Sequence, residues 1–270
     1  MTLKVAIVAN QEPQTLRVLN QLYHLLAEAQ ITVDQKNPNL VISVGGDGTL
    51  LSAFHQFSDR LETVRFMGVH TGHLGFYTDW RDYEIVEMVQ RLQEETLKST
   101  SYPLLEVKIT YTDGQPEQRF LALNESTIKR GNTTMVADVY IRDELFERFR
   151  GDGLSVSTPT GSTAYNKSVG GAVIHPSINA MQLAEIASLN NRLFRTLGSS
   201  IVIAADDWLK IALQPSGDYF VTVDQMDIPQ DQMAAVHYRV AKERIRFVSN
   251  RHMHFWHRVK DAFIGDIENL

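Results

Sequence analysis

The first hundred residues alternate between short apolar runs and longer stretches whose apolar residues recur at helical spacing. Compact apolar runs, typical of buried strands, cover residues 4–10, 40–44 and 64–70. Apolar positions three or four residues apart predict helices over residues 14–30, 49–57 and 82–93. Strands that alternate with helices favour a parallel sheet covered by helices on both sides.

The pattern changes near residue 100, where apolar and polar residues begin to alternate. Residues 104–115 alternate strictly up to an Asp113–Gly114 turn, and residues 119–123 follow as the second strand of a hairpin. Similar alternation recurs over residues 137–141, 209–213, 219–223 and 244–248. Helical spacing is scarce in this region, and a short helix is expected only over residues 180–189. The pattern predicts an antiparallel β domain.

The two patterns divide the chain into two domains. We expect an α/β domain over residues 1–100 and a β-rich domain over residues 101–251. Helical spacing returns near the end of the chain through Phe255, Val259 and Phe263, so a C-terminal helix within residues 252–270 is expected to fold back onto the first domain. The chain length of 270 residues is enough for two ordinary domains.

Composition narrows the possible functions. A hydrophobic content of 43% and a charged content of 21% are typical of a globular protein. The net charge of −6 argues against a nucleic-acid partner. Apolar runs are far below transmembrane length and no signal-peptide pattern is present, so we expect no membrane partner. The sequence contains no cysteine, which excludes disulfides and thiol catalysis and fits a cytoplasmic protein.

The stretch VGGDGT at residues 44–49 is the first candidate site. It lies where a strand meets a helix, and such junctions bind ligands at the carboxyl ends of parallel strands. Its glycines allow the backbone to approach phosphates, whereas Asp47 would suit a metal or the proton of a hydroxyl group. The stretch has neither the lysine of a Walker A loop nor the spacing of a dinucleotide fingerprint. Glycine spacing alone leaves a phosphate-binding loop and a plain tight turn equally open.

Two later stretches add further polar candidates. Asn124 and Glu125 stand at the end of an apolar strand, where an isolated polar pair is also common. Residues 151–171 are dense in Ser, Thr and Gly, contain little that could pack a core, and are expected to form a long loop that supplies hydroxyl and backbone donors. Such a loop is either plain surface or functional.

Taken together, these stretches resemble one family, the NAD kinases of the bacterial, Gram-positive type. The resemblance rests on GGDGTLL at 45–51, HTGHLGF at 70–76, the Asn124–Glu125 pair and DGLSVSTPTGSTAYNKSVGG at 152–171. The first motif is shared with diacylglycerol-type lipid kinases and, in similar form, with phosphofructokinases, whereas the last is far more specific. The resemblance implies a Rossmann-like parallel α/β domain that binds nucleotide phosphates and a C-terminal antiparallel β-sandwich-like domain that binds NAD.

The resemblance also implies an activity and a set of site residues. The expected reaction transfers the γ-phosphoryl group of ATP to the 2′-hydroxyl of the NAD adenosine ribose, giving NADP, with Asp47 as the proton acceptor. Asn124 and Glu125 would hold the ribose, and Thr163 to Ser168 would wrap the adenine and ribose. Contacts with the nucleotides are implied for Gly45, Gly46, Gly48, Thr49, His73, Phe76, Asn124, Glu125, Arg150, Asp152, Ser157, Thr160, Thr163, Ala164, Tyr165, Asn166, Lys167, Ser168, Ala187 and Gln225.

The expected cofactor is Mg²⁺, or another divalent cation, which arrives with ATP and is held by phosphates and water rather than by the protein. Polyphosphate is an alternative donor. Asp152 corresponds to a carboxylate that, in the family, comes from a neighbouring subunit, so a homodimer or homotetramer is expected. His252, His254 and His257 are interpreted as surface histidines rather than a zinc site. A non-enzymatic NAD sensor and a lipid kinase of the same superfamily are the alternative functions.

Overall fold

The structure is a computed structural model that describes residues 2–72, 75–93, 97–214, 217–228, 232–248 and 255–265. Its first elements are β1 (Lys4–Ala9), α1 (Pro13–Glu28), β2 (Thr32–Val33), β3 (Leu40–Val44), α2 (Asp47–Gln56), β4 (Arg65–His70), β5 (Trp80–Arg81) and α3 (Ile85–Leu92). Seven strands follow: β6 (Ser99–Tyr111), β7 (Gln118–Ala122), β8 (Glu125–Arg130), β9 (Met135–Ile141), β10 (Glu144–Gly151), β11 (Gly153–Ser157) and, after the short helix α4 (Tyr165–Ser168), β12 (Ala180–Ile186). The last elements are β13 (Ile201–Ala204), β14 (Trp208–Leu213), β15 (Tyr219–Val223), β16 (Met226–Ile228), β17 (Met233–Val248) and α5 (Phe255–Phe263).

The chain forms two compact units. The first consists of Met1–Ser101 with Arg244–Leu270, and the second of Tyr102–Glu243. Their boundaries fall within the long strands β6 and β17. Each unit has a hydrophobic core of its own.

The first unit is built on a parallel sheet with the strand order β2-β1-β3-β4. All five residues of β3 are buried, as expected for a central strand covered on both faces. Side chains from one face of β1, β3 and β4 pack with the apolar stripes of α1 and α3 into one core. Helix α2 packs against β1 and β3. The α/β architecture predicted from periodicity is therefore confirmed.

The second unit is a β-sandwich. One sheet contains the antiparallel run β10-β9-β14-β17, and the other has the order β13-β12-β11-β8-β15-β16 with every pair antiparallel. Alternate residues of both sheets, such as Val107 and Ile109 of β6 or Val221 and Val223 of β15, point into a shared core. The predicted antiparallel β-sandwich is confirmed, because residues from the inner faces of both sheets share this one core.

Two local predictions in this unit are wrong. Residues 180–189 do not form a helix, because residues 180–186 are strand β12, paired with both β11 and β13. Met181 and Leu183 lie two residues apart in the sandwich core, so tertiary pairing overrides the helical propensity of Ala, Met and Leu. Residues 151–171 are not one long loop either, since residues 153–157 form the central strand β11, with Leu154 and Val156 in the core.

The final helix, α5, belongs to the first unit. Its buried residues are Phe255 and Arg258, three positions apart and therefore on one face. Among the helices of the described ranges, none is both long and apolar enough to cross a bilayer.

Candidate active site

The glycine stretch connects β3 to α2 through a turn that requires glycine. Gly45 has a φ of +147°, and its N–H donates to the carbonyl of Val69 at 2.9 Å. A Cβ at this position would lie 3.0 Å from Asn10 Nδ2 and would collide with the Thr49 hydroxyl. Gly46 is the N-cap of α2. The helix consequently begins at Asp47, two residues earlier than the apolar spacing predicts.

Asp47 stands in the first turn of α2, and a second segment of the first unit fixes its carboxylate. Oδ2 accepts the N–H of Phe76 at 2.8 Å, and Oδ1 accepts the N–H of Tyr77 at 3.1 Å. Gly75 lies so close that an added Cβ would be 2.5 Å from Asp47 Cγ. Each oxygen uses one of its two lone pairs on a backbone N–H and keeps the other for a further donor. Negative charge is also favoured in the first turn of a helix.

Of the remaining predicted residues of the first unit, three lie beside Asp47 in the chain and one lies in the segment that binds its carboxylate. Gly46 and Gly48 are exposed, and Thr49 is half-buried with its N–H donating to the Gly46 carbonyl at 3.0 Å. Phe76 is half-buried and contributes the N–H described above. His73 lies outside the described residues.

In the second unit, Asn124 and Glu125 are held by Asp224, a residue that the sequence analysis did not single out. The Asp224 carboxylate accepts the N–H groups of Leu123, Asn124 and Glu125 at 2.9, 2.7 and 3.2 Å. The Asp224 N–H in turn donates to the carbonyl of Glu125 at 2.8 Å. Asp224 has a φ of +53°, a conformation that aspartate tolerates in tight turns. The polar pair is thus fixed through its backbone, and both side chains are buried.

Glu125 has an unusual protonation equilibrium. Burial, followed by the nearby charge of Asp224, raises the pKa of Glu125 from its ordinary 4.5 to about 8. The backbone N–H of Tyr165 and the charge of Lys129 act in the opposite direction but are weaker. At neutral pH the Glu125 carboxyl group therefore keeps its proton and can donate a hydrogen bond.

The Ser/Thr-rich segment packs around this pair. Ser157 is the register partner of Glu125, and Thr158 N–H donates to the Asn124 carbonyl at 2.8 Å. The Thr158 hydroxyl donates to the Leu123 carbonyl at 2.6 Å. Thr158 was not among the predicted site residues. It directly follows β11, whereas Asp224 directly follows β15, and these two strands flank β8 on opposite sides in the sheet.

Several predicted residues of this segment are buried with polar atoms that lack a hydrogen-bond partner among the described residues. These are the hydroxyls of Ser157 and Thr160 and both amide atoms of Asn166. Buried polar groups are normally paired, so such atoms are candidates for ligand contacts. Thr163 is buried, Ala164 and Tyr165 are half-buried, and Lys167 and Ser168 are exposed. The Tyr165 ring has the ammonium group of Lys129 at 4.3 Å from its centroid.

A third group in the second unit brings together Arg150, Asp152 and Ala187. Asp152 N–H donates to the Ile186 carbonyl at 2.9 Å, and the Arg150 carbonyl accepts the Leu189 N–H at 2.8 Å. Asp152 and Ala187 are exposed. The last predicted residue, Gln225, is exposed and follows Asp224 in the turn between β15 and β16.

Within the described ranges, no group of three His, Cys, Asp or Glu side chains is arranged to hold a metal ion. His257 pairs with Asp261 at 3.4 Å one turn along α5, whereas His252 and His254 lie outside the described residues.

Comparison with known proteins agrees with the motifs. The ATP-NAD kinase N-terminal domain model matches residues 6–97, and the ATP-NAD kinase C-terminal domain model matches residues 123–249. The chain is 70% identical over 264 residues to the NAD kinase of Enterococcus faecalis, covering 98% of this chain and 100% of the relative. It is 55% identical over 263 residues to the NAD kinase of Levilactobacillus brevis, covering 97% and 98%.

Two solved structures share the fold. Yeast NADH kinase complexed with NADH superposes with a TM-score of 0.85 at 20% identity, covering 100% of this chain and 89% of that one. An NAD kinase from Archaeoglobus fulgidus in complex with ATP gives a TM-score of 0.74 at 21% identity, with 92% and 94% covered. Because both family models match in order and the high identity extends over nearly the whole chain, the chain belongs to the ATP-NAD kinase family, whose reaction is the ATP-dependent phosphorylation of NAD.

Proposed function

We propose that this NAD kinase works by holding the 2′-hydroxyl of the NAD adenosine ribose against the carboxylate of Asp47. A ribose hydroxyl is a poor nucleophile at neutral pH, and phosphoryl transfer depends mainly on positioning and on neutralising phosphate charge. The observation that carries this role is the Asp47 carboxylate itself, which two backbone N–H groups fix in direction while one lone pair on each oxygen stays available.

In the proposed reaction the ribose oxygen bonds to the γ-phosphorus of ATP. The bond from that phosphorus to the bridging oxygen breaks, ADP leaves, and the hydroxyl proton passes to Asp47 or to water. Gly45, Gly46 and Gly48 leave the backbone bare for the phosphates, and the N-terminus of α2 favours their charge. We assign this phosphate chemistry to the first unit.

We assign NAD recognition to the second unit. Asn124 and the neutral carboxyl group of Glu125 offer hydrogen-bond donors to the ribose and its neighbouring groups. The segment from Thr163 to Ser168 lies against the adenosine, with Tyr165 as an aromatic partner for the adenine. The unpartnered hydroxyls and amide described above support this assignment, because a bound nucleotide would satisfy them.

Three further features belong to the proposal. Mg²⁺, or another divalent cation, would arrive with ATP, would be held by phosphates and water and would neutralise phosphate charge. Polyphosphate is a second donor to be tested. The enzyme is a homodimer or homotetramer, in which the exposed Asp152 serves a neighbouring subunit. The absence of cysteine from the sequence fits a reducing compartment, and we place the enzyme in the cytoplasm.

The Asp47→Asn variant tests the role of Asp47. We expect turnover to fall by about 10²- to 10⁴-fold while NAD still binds, because the amide keeps the shape of the side chain but is a much poorer acceptor of the hydroxyl proton. NADP formation from NAD, ATP and Mg²⁺ is measured with a dehydrogenase that uses only NADP, and NAD binding by calorimetry.

The exposed Asp59→Asn variant is the matched control and should behave like the unaltered enzyme. Unchanged turnover in Asp47→Asn would remove Asp47 from the mechanism. Binding of NAD without turnover in the unaltered protein would favour a non-enzymatic NAD sensor.

A further inference from the structure

Helix α5 carries a buried arginine whose partners all lie in the segment that holds Asp47. The Arg258 side chain is 3% exposed, and its Nη1 donates to the carbonyls of Gly75 at 2.9 Å and Thr78 at 3.0 Å. Its Nη2 pairs with the carboxylate of Asp79, whose side chain is 7% exposed. The flat guanidinium group therefore fixes three oxygen atoms of residues 75–79, which we call the clamp segment.

The carbonyl groups and the N–H groups of the clamp segment bind two different partners. Its carbonyls at Gly75 and Thr78 accept hydrogen bonds from Arg258, whereas the N–H groups between them, at Phe76 and Tyr77, donate to Asp47. Arg258 and Asp47 thus bind the same short backbone. Any shift of the segment relative to α5 changes the direction of the two N–H groups that orient the Asp47 carboxylate.

Aromatic packing supports the same arrangement. The Phe76 ring stacks on Phe263 with centroids 5.8 Å apart and contacts Phe255 at 6.5 Å, and both partners are in α5. These contacts place the clamp segment against the helix but do not set the rotation of its peptide groups. The hydrogen bonds from Arg258 do set it, because each one fixes the direction of a particular carbonyl.

A stability role alone explains this arginine poorly. Taking a guanidinium and a carboxylate out of water is costly, and apolar residues of similar volume often stabilise a core as well or better. Arginine is favoured over an apolar residue where several oxygen atoms must be held in one fixed geometry. At this position the geometry that is fixed is that of the backbone beneath Asp47.

We propose that Arg258, acting with Asp79, is a positioning residue for phosphoryl transfer: it holds the clamp segment so that the N–H groups of Phe76 and Tyr77 aim the Asp47 carboxylate at the acceptor hydroxyl. Arg258 touches no substrate in this proposal and acts only through Asp47. The inference rests on the role of Asp47 proposed above.

The test uses the full-length Arg258→Lys variant. Lysine keeps the positive charge, but its three N–H donors all project from one nitrogen, so it lacks the planar fork that reaches these oxygen atoms from two nitrogens. We expect kcat to fall by about 10- to 100-fold, the size of effect that a small misplacement of a catalytic group produces. The Kd for NAD, measured by calorimetry, should change by less than about twofold, since no NAD contact is lost. Rates are expressed per NAD-binding site, so that an unfolded fraction does not count.

A double-mutant cycle separates positioning from general destabilisation. If Arg258 acts through Asp47, adding Arg258→Lys to Asp47→Asn should lower the residual rate by less than about twofold, because the group that it positions has already lost its function. The same 10- to 100-fold loss in both backgrounds would overturn the proposal. An unchanged kcat in Arg258→Lys alone would overturn it as well.

Two more variants complete the design. Asp79→Asn removes the ion pair with Arg258 but leaves the hydrogen bonds from Arg258 to the carbonyls of Gly75 and Thr78 possible, and it should also lower kcat. If Arg258→Lys does not fold, Asp79→Asn replaces it in the double-mutant cycle. Asp261→Asn alters the exposed contact between Asp261 and His257 on α5 and should leave kcat unchanged. If Asp47→Asn retains full turnover, the proposed role of Asp47 itself fails. If Asp47→Asn loses turnover while Arg258→Lys has a normal kcat, only the positioning role of Arg258 is rejected.

Discussion

Asp47 and Asp224 are both aspartates whose carboxylates accept backbone N–H groups from a segment distant in sequence. Asp47 binds residues 76 and 77, and Asp224 binds the three residues that lead into β8. Charged hydrogen bonds of this kind are about twice as strong as neutral ones and fix the direction of the backbone. Glu125 differs from both, because it is buried near the Asp224 charge and keeps its proton at neutral pH.

Glu125 should make the stability of the protein depend on pH. The pKa of Glu125 is about 8 in the folded chain, against an ordinary value of 4.5 when the chain unfolds. Below about pH 4.5 the group is protonated in both states. Between about pH 4.5 and about pH 8 only the folded state binds the proton. The contribution of Glu125 to the free energy of unfolding therefore falls as pH rises and is lost above about pH 8.

The Glu125→Gln variant removes that titration. Its melting temperature relative to the unaltered protein should rise steadily from about pH 5 to about pH 8.5, because glutamine resembles the protonated carboxyl group and never ionises. Differential scanning calorimetry across this range measures the difference. Glu144→Gln, at the exposed start of β10, is the control, and its difference should be flat. A flat profile for Glu125→Gln would mean that Glu125 ionises normally.

At the scale of secondary-structure elements, the proposed role of Asp47 depends on the contact between the start of α2 and the clamp segment. Helix α2 supplies Asp47, and the clamp segment after β4 supplies the N–H groups that fix it. Gly75 is the point of closest approach, where only the lack of a side chain lets the backbone touch the carboxylate. Both α2 and the clamp segment are therefore needed to fix the position of the Asp47 carboxylate.

Gly75→Ala should disturb the contact between α2 and the clamp segment. The added Cβ would meet Asp47 Cγ at 2.5 Å, so either the carboxylate or the clamp segment must move. We expect kcat to fall by about 10²-fold, with little change in NAD affinity. The control is Gly72→Ala, where an added Cβ meets no atom of the described residues within 4 Å. Steady-state kinetics are measured on both variants. Equal kcat values would show that the close approach of Gly75 does not position the Asp47 carboxylate.

At the scale of the whole molecule, the chain divides its proposed tasks between two units with separate cores. The first carries the glycine turn and Asp47, and the second carries the residues assigned to NAD. Asp152, whose side chain is exposed, differs from the rest because its proposed role belongs to a neighbouring subunit. Symmetric oligomers commonly complete a site in this way.

Subunit mixing tests that role. Asp47→Asn and Asp152→Asn should each be poorly active alone. Co-expressed with different affinity tags and isolated through both tags as mixed dimers, they should regain about half of the unaltered activity, because one of the two sites in each mixed dimer then contains both aspartates. Activity of the doubly purified mixed oligomer is the measurement. Mixed oligomers as inactive as their parents would assign Asp152 to its own subunit, and a monomer in sedimentation would reject the oligomer itself.

Local pattern was sufficient for the fold class. Apolar periodicity predicts the parallel strands β1, β3 and β4, the helices between them and the antiparallel strands of the second unit, because burial on one face imposes a period on the sequence. The glycine stretch predicts the junction that carries Asp47. Local pattern fails at residues 180–186, where good helix formers lie in a strand between two partners.

The tertiary structure alone decided which groups hold the site in place. Asp224 binds a backbone that is 101 residues away at Leu123, and Arg258 binds one that is 180 residues away at Thr78. No local signal marks either residue: Asp224 reads as an ordinary turn aspartate, and Arg258 as a polar position on an amphipathic helix. Periodicity records which face of an element is buried, whereas a hydrogen bond between distant segments depends on where the whole chain brings them.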